Sequence, residues 1–231
     1  EYAIPAARGE YLAFCEGDDY WTDPEKLSIQ AAWLDAHPDY SACVHNTMNY
    51  YCDTGREAPY NTRYHGDRDL GFADVVNGVG GVFHTSSVMA RASLFRELPD
   101  YCVVSEKHGV GDHPRAIMFA LSGKIRYIDR FMSVYRNNST PTAWTTRIRE
   151  NEFLVDRLTG AVEMYTAALG HVEGEDKKLL EQTLHRYEWE LLQAKGEYAE
   201  MRREPYRTIT KQRGLVQTLW LDFKQYFPEL Y

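Results

Sequence analysis

Apolar residues follow two different spacings along the chain, and the change between them separates two regions. Up to about residue 140, short apolar runs bounded by glycine alternate with segments of helical period, which is typical of an α/β domain. Beyond about residue 145, long charged amphipathic segments at 150–169, 175–201 and 213–227 predict helices. We therefore predict an α/β domain over residues 1–140 and a helical C-terminal extension over residues 141–231.

Within the first region the pattern predicts a series of strands and helices. The strands are predicted at 11–15, 41–51, 82–90, 124–128 and 132–136. The helices are predicted at 22–37, 72–77, 91–98 and 111–122, and the polar stretch 53–69, which holds glycine and proline, predicts a loop. Because Gly9 and Gly17 bound the apolar run 11–15, we expect that run to be a buried strand.

The helix predicted at 22–37 has two alternative starts. Thr22 and Glu25 have the spacing of a capping box, whereas Asp23 before Pro24 would cap a helix with proline at its first position. Its apolar face is predicted to consist of Leu27, Ala31 and Leu34.

Composition excludes several classes of function. The 231 residues are 44% apolar and 26% charged with a net charge of −8, which predicts a folded acidic protein. No basic stripe is present, so we expect no binding to nucleic acid. No apolar run approaches the roughly 18–20 residues that cross a bilayer. The four cysteines form no C-x-x-C pair, and we expect reduced thiols, which fits a cytoplasmic protein.

An acidic loop, Glu16-Gly17-Asp18-Asp19, directly follows the apolar run 11–15. Two carboxylates one residue apart can converge on one hard cation, and Gly17 allows the tight turn. Bound Mg²⁺ or Mn²⁺ could neutralise a departing diphosphate, and ligands of open α/β sheets bind outside the carboxyl ends of strands. For the tetrapeptide alone, a solvated loop that caps the next helix is the commoner explanation.

Asp112, in the Gly111–Pro114 segment, is a second candidate for chemistry. Its ordinary interpretation is a helix N-cap, which stabilises by ~1 kcal/mol. Its functional interpretation is a general base that deprotonates an acceptor hydroxyl, a role for which Glu106 is a weaker substitute. We expect no zinc site, because no known zinc spacing fits His84, His108 and His113.

The stretch from Ala7 to Leu27 resembles the central segment of family 2 glycosyltransferases. In that family A-x-G-E-Y-h-A-h-h-D-G-D-D ends the strand that carries the D-x-D motif, and Y-W-x-D-P-x-K-L begins the next helix. This chain reads ARGEYLAFCEGDDYWTDPEKL. Glu16 replaces the more usual aspartate and keeps the carboxylate.

Two later segments extend the resemblance, which covers roughly residues 6–144. HTSSVMAR at 84–91 resembles the family's T-S-S-V-M-h-R strand, which lies near the acceptor pocket. GDHP at 111–114, GKI at 123–125 and VYR at 134–136 resemble its G-D-x-P … G-K-I … V-Y-R run, in which the catalytic base aligns with Asp112. The family often has a histidine shortly after this arginine, where this chain has Asn137-Asn138.

The resemblance implies a partial GT-A fold, the Rossmann-like mixed sheet of nucleotide-diphospho-sugar transferases, with a C-terminal α-helical appendage. The site residues that it implies are Asp112 as catalytic base; Asp18 and Glu16 for Mg²⁺ or Mn²⁺; Asp19, Gly17 and Arg136 for the donor; and Thr85, Ser86, Ser87 and His113 for the acceptor.

The implied activity is metal-dependent, inverting transfer of a sugar from a nucleoside-diphosphate sugar to a hydroxyl acceptor. The acceptor would be a glycan or lipid-linked glycan in bacterial surface polysaccharide synthesis, in the cytoplasm or at the inner face of the membrane. The family's nucleotide-binding P-x-Y-N and D-D-G-S motifs do not occur in this chain. We therefore expect an N-terminally truncated domain, with weak or no activity from these residues alone.

Alternatives from two other classes stay open. A non-catalytic carbohydrate-binding or scaffold protein would retain the fold, and a metal-dependent phosphohydrolase would release free sugar without an acceptor. The amphipathic segment 215–227 allows peripheral membrane contact, but its polar face holds few basic residues. We expect it to dock on the transferase domain or to pair with a second copy of the chain in a homodimer.

Overall fold

The computed structural model describes residues 3–78, 82–109, 111–138, 147 and 150–214. The chain divides into two compact units, residues 1–103 with 111–146 and residues 104–110 with 147–231. Most of the helix predicted at 213–227 lies outside the described residues. Within the described residues, no helix is both long enough and apolar enough to cross a membrane.

The first unit is built on one mixed sheet. Its described strands are β1 (Tyr11–Ala13), β2 (Tyr20–Trp21), β3 (Tyr40–Tyr51), β4 (Arg56–Pro59), β5 (Arg68–Leu70), β6 (Met89–Arg91) and β7 (Lys124–Asn137). They lie in the order β1-β6-β3-β7-β2, with β4 paired to β3 and β5 paired to β7. β3 and β7 run parallel, whereas the other described pairs are antiparallel. The chain is therefore a mixed α/β protein, as predicted.

Helices follow or precede most of these strands. The α-helices are α1 (Ala3–Ala6), α2 (Lys26–Ala36), α3 (Phe72–Asn77), α4 (Asp100–Glu106), α5 (Asp112–Ser122), α6 (Asn151–Ala168), α7 (Gly174–Lys195) and α8 (Tyr206–Gln212). Short 3₁₀ helices lie at Thr85–Ser87, Ala92–Phe95, Leu169–His171 and Glu200–Arg202.

The parallel pair β3 and β7 forms the centre of the first unit. β3 is buried from Tyr40 to Thr47, and its apolar residues pack beneath α2. The connection from α5 into β7 is short because Gly123, which has no side chain, lets this connection lie close to the backbone at the start of β3. A Cβ on Gly123 would lie 2.7 Å from the carbonyl oxygen of Asp39. This close approach sets the register in which Tyr40 faces Lys124.

Several elements confirm the predictions from the sequence. The helix predicted at 72–77 is α3 with the same bounds, and the strand predicted at 41–51 is β3. α5 begins at Asp112 and has Gly123 as its C-cap. All four cysteines are unpaired. The two strands predicted at 124–128 and 132–136 are one strand, β7, with a shift of pairing opposite Asn46.

Other predictions for this unit are wrong. The run 11–15 is not a buried strand: β1 is three residues long, half-buried and located at a sheet edge, where β6 is its described partner. The predicted strand 82–90 contains a 3₁₀ turn, in which the Ser87 hydroxyl donates to the carbonyl of His84 and the His84 imidazole accepts from the backbone N of Ser86. The predicted loop 53–69 contains β4 and the start of β5, whose polar exposed residues carry no apolar alternation.

The buried face of α2 also differs from the prediction. Leu27 is 42% exposed, whereas Lys26 and Gln30 are buried beside Leu34. Lys26 Nζ donates to Gln30 Oε1 at 2.7 Å and lies 4.5 Å from the centroid of the Trp21 ring. A buried ammonium is tolerated only where such groups replace its hydration. On its buried face, α2 therefore carries the polar pair Lys26 and Gln30, whereas the predicted apolar residue Leu27 is exposed.

The second unit is helical. Trp189 on α7 is fully buried, packs against Met201, and donates from Nε1 to Thr210 Oγ1 at 2.8 Å. His108, in the segment 104–109, packs on α6, where a Cβ on Gly160 would lie 2.4 Å from the Cβ of His108. His108 Nδ1 lies 2.8 Å from Asp156 Oδ1, and its Nε2 lies 3.4 Å from Glu163 Oε2.

Candidate functional site

The acidic loop crosses one end of the sheet. It leaves β1 at one edge and enters β2 at the opposite edge, where Tyr20 faces Val134 of β7. Because β1, β3 and β7 run in the same direction, the loop passes over their carboxyl ends. This is the end of an open α/β sheet at which ligands bind.

Glu16, Asp19 and His84 carry potential ligand atoms that all lie within 4.8 Å of one another. His84 Nε2 lies 3.6 Å from Glu16 Oε2, and His84 Nδ1 lies 3.6 Å from Asp19 Oδ2. Asp18 is exposed and is outside this group. The metal pair predicted from the sequence, Glu16 with Asp18, stays a prediction, while the described geometry brings Glu16 together with Asp19.

Asp19 has one satisfied and one unsatisfied carboxylate oxygen. Its Oδ1 accepts a hydrogen bond from the backbone N of Arg136 at 3.0 Å. Its Oδ2 is buried and accepts no hydrogen bond from the described residues. The guanidinium of Arg136 instead donates from Nε to the carbonyl of Asp18, which holds the loop against β7. A buried carboxylate oxygen without a donor is costly, and a bound cation would satisfy it.

The pKa values of both carboxyls are raised. Burial and the charge of Asp112 raise the pKa of Glu16 to about 7, with further contributions from Asp19 and Asp18. Burial raises the pKa of Asp19 to about 6 although the Arg136 amide opposes this shift. Carboxylates that resist ionisation without a positive partner are typical of functional sites.

The raised pKa of Glu16 means that its ionised form destabilises the folded protein, and this can be tested without any ligand. A carboxyl whose pKa is higher in the folded protein than in the unfolded chain opposes folding once it ionises, so the cost is absent near pH 4 and complete above about pH 7. Glu16→Gln is therefore expected to raise the free energy of unfolding at pH 8 and to change it little at pH 4. Urea denaturation with a chelator present measures both values. Glu175→Gln, at an exposed helix residue, is the control; an equal gain at the two pH values would contradict the prediction.

Asp112 is the first residue of α5 and is exposed. The N-cap of α5 is Gly111 and no side chain caps it, so the capping interpretation of Asp112 is wrong. Burial and, after it, the charge of Asp112 raise the pKa values of Glu16 and Tyr60, so the carboxylate of Asp112 interacts with the acidic loop.

The hydroxyl groups of the predicted acceptor residues at 85–87 differ in their hydrogen bonding. The hydroxyls of Ser86 and Ser87 are fully buried and bond to Ser133 Oγ and His84 O. Thr85 Oγ1 is buried without a hydrogen-bond partner in the described part of the chain. An acceptor role for this segment stays a prediction.

His113 is directed at a neighbouring helix. Its Nε2 lies 3.4 Å from Val75 O of α3, and burial lowers the pKa of the ring to about 4. The predicted contact between His113 and an acceptor also stays a prediction, and the side chain of Glu106 lies outside the described part of the chain.

Sequence reasoning missed the aromatic surroundings of this group. The ring of His84 stacks on Tyr135 with centroids 4.3 Å apart, and Tyr60 meets it edge-on at 5.2 Å. Tyr60 follows β4 in a stretch predicted to be a loop, and no sequence pattern marks it as a neighbour of the acidic loop. For His84, the one sequence feature that could have indicated a place in the site was its position directly before Thr85, a predicted acceptor residue.

Comparison with known proteins gives relatives without a stated activity. No protein-family model matches the sequence. The chain is 31% identical over 174 residues to the uncharacterized proteins Mb1547 of Mycobacterium bovis, and MT1570 and Rv1520 of Mycobacterium tuberculosis. The aligned part is 74% of this chain and 47% of each relative, so the chain spans about half the length of the curated relatives it matches.

Proposed function

We propose that the chain is part of an inverting, metal-dependent glycosyltransferase of family 2 with a GT-A fold. The observation that carries this proposal is the buried, unpartnered Oδ2 of Asp19 beside Glu16, in a loop over the carboxyl ends of parallel strands. The resemblance of residues 7–27 to the D-x-D segment of that family gives this arrangement its chemical interpretation. The donor would be a nucleoside-diphosphate sugar and the acceptor a hydroxyl of a glycan or lipid-linked glycan.

The donor set fits a hard divalent cation. Mg²⁺ and Mn²⁺ prefer a small number of carboxylates together with phosphate oxygens and water. Glu16 and Asp19 supply the carboxylates, and the half-exposed Glu16 side chain leaves room for a phosphate. When bound, the ion would neutralise charge that develops on the departing diphosphate.

The remaining roles fall to residues around the acidic loop. Asp112 would accept the proton of the acceptor hydroxyl, because an inverting transfer needs a base on the face opposite the leaving group. Arg136 would orient the donor indirectly, since its guanidinium and amide hold Asp18 and Asp19 in place. We further propose a cytoplasmic location, at the inner face of the membrane, where lipid-linked acceptors are available.

Asp19→Asn is expected to abolish Mn²⁺-dependent binding of nucleoside diphosphates. The amide keeps the side-chain shape and can still accept from the Arg136 amide, but it removes the charge that a cation needs. Calorimetric titration with UDP, GDP and dTDP, with and without Mn²⁺, measures the effect. Release of nucleoside diphosphate from the corresponding sugar donors measures transfer.

The control is Asp176→Asn, an exposed acidic residue in the first turn of α7. Metal-dependent binding that survives Asp19→Asn would contradict the proposed cation site. In the whole protein that contains this chain, binding without any transfer would favour the carbohydrate-binding or scaffold alternative, and release of free sugar without an acceptor would favour the phosphohydrolase.

A further inference from the structure

Basic residues are concentrated on the short helix α8 and on the residues directly before and after it. Residues 202–213 contain five basic side chains and one acidic side chain, a net charge of +4 in a chain whose net charge is −8. The basic side chains are all exposed: Arg202, Arg203, Arg207, Lys211 and Arg213. The absence of a basic stripe from the chain as a whole therefore does not extend to these twelve residues.

The opposite face of α8 packs against α7, and this contact fixes the direction of the basic side chains. Thr210 Oγ1 accepts a hydrogen bond at 2.8 Å from Nε1 of the buried Trp189, and Ile209 packs against the same apolar cluster. Arg207 and Lys211 are four residues apart, so they are neighbours on one side of the helix. Both are exposed, and this side of α8 therefore faces solvent.

The cations on the solvent side of α8 differ in how they are balanced. In the described part of the chain, Arg207 and Lys211 pair with no acidic side chain. Two neighbouring arginines are each paired with a glutamate, Arg203 with Glu200 and Arg213 with Glu190. An external anion can therefore approach Arg207 and Lys211 without displacing an internal partner, and their charges attract it over a longer range than a paired charge does.

A membrane surface is the anionic partner that fits this face best. Clusters of lysine and arginine beside an amphipathic segment are typical of binding to anionic lipid headgroups. The sequence that follows α8, residues 215–227, combines three leucines with four aromatic residues, which favour the boundary between membrane and water. That sequence holds few basic residues of its own, so α8 would supply the attraction. A nucleic acid would use the same cations but gives no role to the leucines that follow them.

We propose that residues 202–213 bind the surface of an anionic membrane, and that Arg207 and Lys211 contact the lipid phosphates. This assigns a surface to the membrane location of the proposed function, and it rests on that function only for the choice of the inner face. Vesicle binding requires neither Mn²⁺ nor a sugar donor. Its failure would therefore leave the proposed transfer untouched, and a protein without transfer activity could still bind membranes.

Co-sedimentation of the chain with lipid vesicles tests the proposal. We expect binding to vesicles of phosphatidylglycerol and phosphatidylcholine in equal parts, little binding to phosphatidylcholine alone, and a loss of binding as salt is raised. Arg207→Gln and Lys211→Gln are each expected to weaken partitioning about fivefold, and the double variant about 30-fold. The control is Lys107→Gln with Lys177→Gln, which makes the same change of charge at two exposed lysines and should stay within about threefold of the native chain.

Several outcomes would overturn the proposal. These are equal partitioning onto neutral and anionic vesicles, no binding to the anionic vesicles, and equal losses in the double variant and its control. Titration with short duplex DNA and single-stranded RNA at the same salt covers the other anionic partner. Tighter binding to either than to vesicles, lost in the double variant, would assign the basic face to nucleic acid instead. The substituted side chains are exposed, so we expect the urea midpoints of all variants to match that of the native chain.

Discussion

In the glycosyltransferase of which we propose this chain to be part, Asp112→Asn is expected to lower kcat for sugar transfer by about 10²–10⁴-fold, the contribution of a positioned general base. The substitution keeps the size of the side chain and removes its ability to accept a proton. Donor binding should be nearly unchanged, because the cation ligands Glu16 and Asp19 remain. The affinity for nucleoside diphosphate is measured by calorimetry and the transfer rate by nucleoside diphosphate release with acceptor present.

The same variant has a second effect that is independent of turnover. The charge of Asp112 is, after burial, the largest contribution to the raised pKa of Glu16. Removing that charge should lower the pKa of Glu16, which NMR of the side-chain carboxyl can follow. Transfer at the native rate by Asp112→Asn would exclude Asp112 as the base, and an unchanged Glu16 titration would show that the two carboxyls do not interact.

Gln30→Leu is expected to lower the free energy of unfolding by about 3 kcal/mol, because a buried group that loses its hydrogen-bond partner costs about 1–3 kcal/mol, and more when it is charged. Gln30 Oε1 accepts from the buried Lys26 ammonium, and Gln30 Nε2 donates to Cys43 O and Ser87 O at 2.7 and 2.8 Å. Leucine leaves the ammonium and both carbonyls without these partners. Urea denaturation measures the loss, and Gln182→Leu, at an exposed position in α7, is the control.

The pH dependence and a double variant test this explanation. Burial lowers the pKa of Lys26 to about 8, so the lysine is charged at pH 6.5 and largely neutral at pH 9.5. The cost of Gln30→Leu should therefore be smaller at the higher pH. Adding Lys26→Met should recover part of the stability, because no charge is then buried. A loss below about 1 kcal/mol at pH 6.5 would show that the pair is not required.

The elements that could be predicted from the sequence are those specified by local signals. The apolar residues of β3 and the glycines around α5 lie within their own segments, and both elements were found close to the expected bounds. The apolar face predicted for α2 did not include Lys26, because a charged side chain is normally solvated. Its burial depends on Trp21 and on Gln30, which is itself held by the carbonyls of Cys43 and Ser87, and only the folded chain brings these groups together.

The candidate site shows the same limit. The acidic loop and Asp112 could be identified from motifs, because the residues of each motif are adjacent in sequence. Which carboxylate of the loop is buried could not be identified, since the Arg136 amide that orients Asp19 comes from another strand. His84 was set aside because no zinc spacing included it. Its proximity to Glu16 depends on a turn held by residues from distant segments.

The packing of His108 on α6 limits where the protein can be divided. The two units are interleaved along the chain, because the second unit includes the short segment 104–110 from within the first. A fragment that ends at residue 140 would retain 104–110 but lose the helix whose Gly160 accommodates His108. α5 begins at Asp112, only four residues beyond His108. A single cut therefore cannot give two fragments that each contain one complete unit. In a fragment that ends at residue 140, the proposed base Asp112 would directly follow a segment that has lost the helix it packs on.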